Sequence, residues 1–190
     1  APEDYYLEGL KRDPSDIRLN NAYGLLLYRR GCFEESIPYF RKAIEKQTWK
    51  NPNPYHGECY YNLGLALHMT GQDNEAFDAF YKATWSYENQ SSGYYWLACL
   101  SCRKGDYQAA LEFIEQSMIR NWHNMKARTL KAAILRALNK DTVLLLSESA
   151  DIDPLDMGIR YEKVLASGDM AGWKQTMRQP AHNYLELSLD

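Results

Sequence analysis

The stretch YYNLGLALHMTGQDNEAFDAFYKA, residues 60–83, decides the fold. Large apolar residues return at helical spacing, yet Gly64, Gly71, Ala76 and Ala83 interrupt them with the smallest side chains available. Two helices joined by a short turn approach closely only where side chains are removed. The stretch therefore predicts a helix, a turn at Gly71, and a second helix. Gly64 and Ala76 form the crossing pair, and Tyr60, Leu67 and Phe80 fill the space around it. A glycine inside a helix costs roughly 0.5–1 kcal/mol relative to alanine, so packing must compensate at Gly64. Gly71 serves differently, since it ends the first helix with a positive φ.

The pattern recurs. Aligning Gly64 with Ala98, 34 residues on, brings Tyr60 onto Tyr94, Leu63 onto Leu97, Gly71 onto Gly105 and Ala76 onto Ala110. Aligning Gly64 with Gly24, 40 residues back, brings Leu67 onto Leu27, Gly71 onto Gly31, Ala76 onto Ser36, Phe80 onto Phe40 and Ala83 onto Ala43. The longer interval absorbs the segment Trp49–His56, whose NPNP cannot be helical throughout. A fourth unit places Ala132 and Leu135 in its first helix, Asn139 at the turn and Asp153-Pro154 at its close. Asparagine replaces glycine there because it tolerates the left-handed region.

These residues resemble the tetratricopeptide repeat, a helix–turn–helix unit of about 34 residues with small residues at fixed places. The signature reads Tyr23, Gly24, Leu27, Gly31, Phe33, Ser36, Phe40, Ala43 in the first repeat, where Asn20 departs from the usual large first residue. It reads Tyr60, Leu63, Gly64, Leu67, Gly71, Ala76, Phe80, Ala83 in the second, and Tyr94, Leu97, Ala98, Gly105, Tyr107, Ala110 in the third. The resemblance implies an all-α fold, a right-handed superhelix of antiparallel helix pairs in one domain over 1–190. Its expected parts are a half repeat at 3–14, repeats at 17–48, 57–88, 91–122 and 125–154, and a degenerate repeat or C-terminal helices at 155–190. Trp173, Met177, Tyr184 and Leu187 are the residues with which the last part would cap the array. More narrowly, RLNNAYGLLL, NPNPY and YYNLGLAL resemble the C-terminal repeat array of large multidomain bacterial proteins. Those carry an N-terminal domain of unknown function that looks carbohydrate-related.

Composition narrows the function. Apolar residues make up 45% of the 190, enough for a core, and the net charge of −3 supplies no basic field for nucleic acid. No apolar run reaches transmembrane length. The first residue is Ala1 rather than Met, from which an excised piece of a longer protein is expected. Four cysteines form no dense disulfide framework, which favours a reducing compartment and a cytoplasmic location. Cys99 and Cys102 form an isolated C-x-x-C inside a helix, away from the N-terminus that activates redox thiols, and a structural zinc needs four ligands. His56, His68, His123 and His182 show no ligand spacing, and no phosphate-loop or nucleophile-elbow motif occurs. The sequence thus predicts no catalytic residues, no metal and no cofactor.

What remains is a surface. At about 100° per residue, the first helix of each repeat carries a second face beside its packing face. The resemblance implies that this face lines a concave groove. The candidate residues are Arg18, Asn21, Tyr28 and Arg29 in the first repeat and Tyr61, Leu65 and His68 in the second, then Tyr95 and Arg103 in the third and Arg136 in the fourth. They are aromatic and cationic, and Arg forks suit carboxylates. Some relatives clamp a C-terminal carboxylate with Lys, Asn and Arg. Here Asn62 matches, but Asn21, Leu25, Ser92 and Trp96 depart from that clamp. The expected function is a non-catalytic scaffold module binding a protein or peptide, with an acidic segment as the expected partner and neither nucleic acid nor membrane involved. The alternative is a structural spacer or intramolecular dock for an enzyme domain of the same parent chain. The loop flanked by Trp49, Tyr55 and His56 is a further candidate contact.

Overall fold

The computed structural model describes residues 2–53 and 56–168; Tyr55, His182 and the expected cap residues Trp173, Met177, Tyr184 and Leu187 lie outside them. The described residues form α1 (Pro2–Arg12), α2 (Ile17–Arg29), α3 (Phe33–Thr48), α4 (Glu58–Met69), α5 (Asp73–Ala83), α6 (Gln90–Arg103), α7 (Tyr107–Arg120), α8 (Met125–Ala137), α9 (Val143–Ile152) and α10 (Met157–Ser167). One 3₁₀ turn, Tyr87–Asn89, precedes α6, and the described residues include no strand. The fold is all-α, of the helical-solenoid class. It divides into two compact units between Leu100 and Ser101, within α6.

Local chemistry sets the helix ends. Asp16, Asp106, Asn124 and Asp156 cap α2, α7, α8 and α10 by accepting the backbone N–H of Leu19, Ala109, Ala127 and Ile159. The inter-helix turns repeat one motif. Gly71 has φ +77°, its N–H donates to His68 O, and the Gln72 N–H donates to Leu67 O at 2.8 Å. Gly31, Gly105 and Asn139 do the same, with φ of +85°, +79° and +53°. This is the double hydrogen bond by which a left-handed residue closes a helix, and it explains why only Gly or Asn stands there.

In the first unit α2 packs on α3, α3 on α4, and α4 on α5, with α1 against α2. The crossing of α4 and α5 is filled by a ring. A Cβ built on Gly64 would lie 2.7 Å from Phe80 Cε1, and its three nearest neighbours all belong to the Phe80 ring. The atoms a Gly64 side chain would meet first therefore belong to Phe80. The reason is size: a fully buried ring needs the space that glycine vacates, while Ala76 is small enough to bury on its own. Gly24 and Phe40 repeat the arrangement, with 2.8 Å to Phe40 Cε1.

In the second unit α7 packs on α8, and α8, α9 and α10 pack together. Ala132, Leu146 and Ile159 form its apolar centre. Beside them Arg128 is fully buried. Its Nε donates to Ser149 Oγ at 2.8 Å, Nη2 donates to Glu148 Oε2 at 3.1 Å, and its guanidinium lies 4.4 Å from the Trp122 ring centre.

Candidate functional site

The first helices of the first unit bring several candidate residues together. Trp96, on α6, is their hub. Its indole N–H donates to Tyr61 Oη at 3.3 Å, and its ring lies parallel to Phe80, 5.7 Å between centres. His68 lies 5.1 Å from that ring and Tyr95 5.9 Å, edge-on. Because Phe80 also fills the gap at Gly64, the ring that closes the helix crossing is the ring on which the site is laid. Asp73, at the start of α5, holds His68 by a 2.8 Å hydrogen bond to Nδ1 and so fixes the imidazole orientation.

The tyrosines stand near one another. Burial raises the Tyr28 hydroxyl above its ordinary pKa, with a smaller push from Tyr61. Burial also pushes Tyr95 up to about 12, reinforced by Cys99 and, more weakly, by Tyr61. All three remain half-buried, as do Leu65 and His68. They are seated firmly and still reachable from solvent. Arg18 and Arg29 are exposed on α2 and make no ion pair among the described residues.

The remaining candidates are placed otherwise. Asn21 is almost buried and accepts a 3.0 Å hydrogen bond from the Asn62 amide, so the two asparagines join α2 to α4. The one residue that matched the carboxylate clamp is thereby engaged with its neighbour. Arg103 lies exposed in the last turn of α6, beyond the division between the units. Arg136, in the second unit, makes a two-pronged pair with Glu162, at 2.9 and 3.2 Å. Glu162 is only 5% exposed, so Arg136 serves first as the counter-charge of a buried carboxylate.

Reading the sequence missed Trp96 as the hub and Arg128 as a core residue. Both carry a signal in their register. Trp96 stands 34 residues after Asn62, an indole in place of a small polar side chain. Arg128 stands four before Ala132, where Tyr60 stands four before Gly64. At the loop candidate, Trp49 is 74% exposed between Lys46 and Lys50, and the His56 carbonyl accepts from Gln47. None of the four cysteines forms a disulfide, and Cys99 and Cys102 stand in the last turns of α6. Among the described residues no three His, Cys, Asp or Glu side chains gather as metal ligands would, and no helix is long and apolar enough to cross a membrane.

Comparison with known proteins places this geometry. The tetratricopeptide repeat model matches residues 16–89. An uncharacterized protein of Methanocaldococcus jannaschii is 32% identical over 59 residues, 31% of this chain and 62% of the relative. The chain thus spans about three fifths of the length of the curated relative it matches. The crystal structure of MamA superposes with a TM-score of 0.70 at 19% identity, covering 80% of this chain and 81% of that one. The structure of YrrB, described as a TPR protein with an unusual peptide-binding site, superposes with a TM-score of 0.65 at 15% identity, covering 92% and 90%. At such identities the two structures speak for the fold alone. Signature, turn motif and family model agree over residues 16–89, and that segment reads as tetratricopeptide repeats.

Proposed function

We propose that this chain is a non-catalytic scaffold that binds a protein or peptide through the face formed by its first helices. The observation that carries the reading is the aromatic floor Tyr61–Trp96–His68–Tyr95. It is held in place by Phe80 and Asp73 yet left partly open to solvent. Rigid aromatic residues that keep one side open act as anchors, because little side-chain freedom is lost when a partner covers them. Arg18 and Arg29 stand on the same series of helices with no counter-ion among the described residues, which suits a partner carrying carboxylates. The peptide-binding description of YrrB is consistent with this use of the fold. We assign the partner as an acidic, partly apolar segment and the setting as a reducing compartment, in keeping with four cysteines that form no disulfide.

The test is fluorescence anisotropy with labelled acidic-apolar peptides, comparing the native chain, the double variant Tyr61→Ala/Arg29→Glu, and the surface control Lys163→Glu. Binding is expected to weaken about tenfold or more for the double variant alone, and to weaken with added salt. Equal binding by all three proteins contradicts the reading.

A further inference from the structure

The second unit carries a local charge that the whole chain does not. Residues 116–140 are the longest run of the sequence without Asp or Glu, and they hold six Lys and Arg in a chain of net charge −3. Three of the six are engaged within the fold: Arg128 with Glu148, Lys131 with Glu115 and Arg136 with Glu162. The loop between α7 and α8 is different. There Arg120, His123 and Lys126 accompany the apolar Ile119 and Trp122, and all five are exposed. Lys126 makes no ion pair among the described residues. It also stands in the first turn of α8, which holds no acidic residue. The amide end of a helix disfavours a cation there by about 0.3–1 kcal/mol, and an anion bound beside it offsets that cost.

Trp122 is the fixed point of this loop. Its carbonyl accepts a 3.3 Å hydrogen bond from Arg128 Nη1, and the guanidinium lies 4.4 Å from its ring centre. Arg128 is in turn fully buried and held by Ser149 and Glu148. Trp122 is nonetheless 51% exposed, and Ile119 just before it 69%. An exposed ring with its backbone pinned loses little freedom when a partner covers it. The cation against the ring also selects what meets its open side. The guanidinium already draws on the negative charge of the ring face, so a second cation gains little, and an apolar group flanked by anions is favoured. The two carboxylates that touch the first turns of α8 are both engaged. Glu148 accepts from Arg128, and Asp156 accepts from Thr129 Oγ1 and from the Ile159 N–H.

We propose that the α7–α8 loop is a second docking surface, sharing no residue with the aromatic floor. It takes an acidic protein segment whose apolar side chain lies on Ile119 and Trp122 and whose carboxylate lies over Lys126 and the start of α8. A peptide suits this surface better than a nucleic acid does. Ile119 offers an aliphatic contact on which no base stacks, Trp122 is a single ring, and the net negative charge of the chain opposes a polyanion.

The test follows the Trp122 indole N–H of the isotope-labelled chain by NMR. The titrants are acetyl-Glu-Asp-Leu-Phe-Glu-Asp-amide, its counterpart with Gln and Asn in place of Glu and Asp, and a hexathymidine oligonucleotide. The acidic peptide is expected to give a saturable shift of the Trp122 indole and of the Lys126 backbone amide. The uncharged counterpart with the native chain, and the acidic peptide with the exposed-site variants Lys126→Glu and Ile119→Ser, are each expected to bind about fivefold or more weakly. The double variant Tyr61→Ala/Arg29→Glu is expected to leave the Trp122 titration unchanged, which separates this surface from the first-helix face. Absence of shifts at Trp122 and Lys126 with millimolar acidic peptide overturns the proposal. So do equal titrations of the native chain and Lys126→Glu, or tighter binding of the oligonucleotide than of the peptide at Trp122.

Discussion

The pair α4/α5 and the pair α8/α9 solve one packing problem with opposite chemistry. In α4/α5 the crossing is closed by an aromatic ring: Gly64 gives up its side chain and Phe80 fills the space, fully buried. In α8/α9 the residue four before the small Ala132 is Arg128, which is equally buried. There a charged group is paired off against Ser149, Glu148 and Trp122 rather than excluded. The fold tolerates both because the small residues and turns fix the helix approach, while the neighbouring large residue need only fill volume and satisfy its own polarity. The two pairs should accordingly fail in different ways. The first should be sensitive to shape and the second to hydrogen-bond partners.

The strongest loss is expected where shape rules. Phe80→Ala should destabilise the first unit by about 3–5 kcal/mol, since Gly64 offers no side chain to collapse into the cavity. Gly64→Leu should lose about 1–3 kcal/mol or more by overpacking against the same ring. Denaturant midpoints check both, and a harmless Gly64→Leu would show that the ring is not confined there. In the second unit Ser149→Val strips the acceptor from buried Arg128 Nε and should lose about 1–3 kcal/mol. Arg128→Met removes the charge together with its needs and should be neutral or stabilising, because replacing a buried ion pair by apolar volume often is. A large loss on Arg128→Met would mean that the network, not the volume, holds α8 to α9.

The mildest change concerns Cys59, buried on the packing side of α4. Burial pushes its thiol up to about 12, with a smaller push from Glu58. The folded chain therefore holds this proton more tightly than the unfolded chain does. The associated stability is fully present below the ordinary thiol pKa, near 8.5–9, and is lost as pH rises from there toward 12. Alkylation followed by mass spectrometry should label half-buried Cys32 before Cys59 in the native state, and Cys59→Ala should flatten the alkaline loss.

The helix pairs were legible in the sequence because their determinants are local. A glycine with positive φ and a small residue at the crossing leave the same mark in every repeat, and Asn139 could be read in that register even without glycine. Partners across helices were less legible. Gly64 and Ala76 could be named as a crossing pair because both are small, but how closely the Phe80 ring sits over Gly64 could not be read from spacing. Asn62 looked like a ligand residue because its fate depends on Asn21, 41 positions away. Arg136 looked like a groove cation because Glu162, its buried counter-charge, belongs to a helix whose repeat signature has faded. At the candidate site the tyrosines could be named from helical phase, but not the indole that joins them. Trp96 stands in register with Asn62, but the repeat marks only the position and not the indole that fills it.

Whether the partly open aromatic floor around Trp96 binds an acidic peptide segment is decided by the Trp96 indole N–H resonance, followed while the labelled chain is titrated with an acidic-apolar peptide. A saturable shift of that resonance is expected, together with backbone shifts at Tyr61, His68 and Tyr95, reduced by salt and lost in Tyr61→Ala/Arg29→Glu. Saturable binding that leaves the Trp96 indole and these three residues unmoved would contradict the role given to the floor.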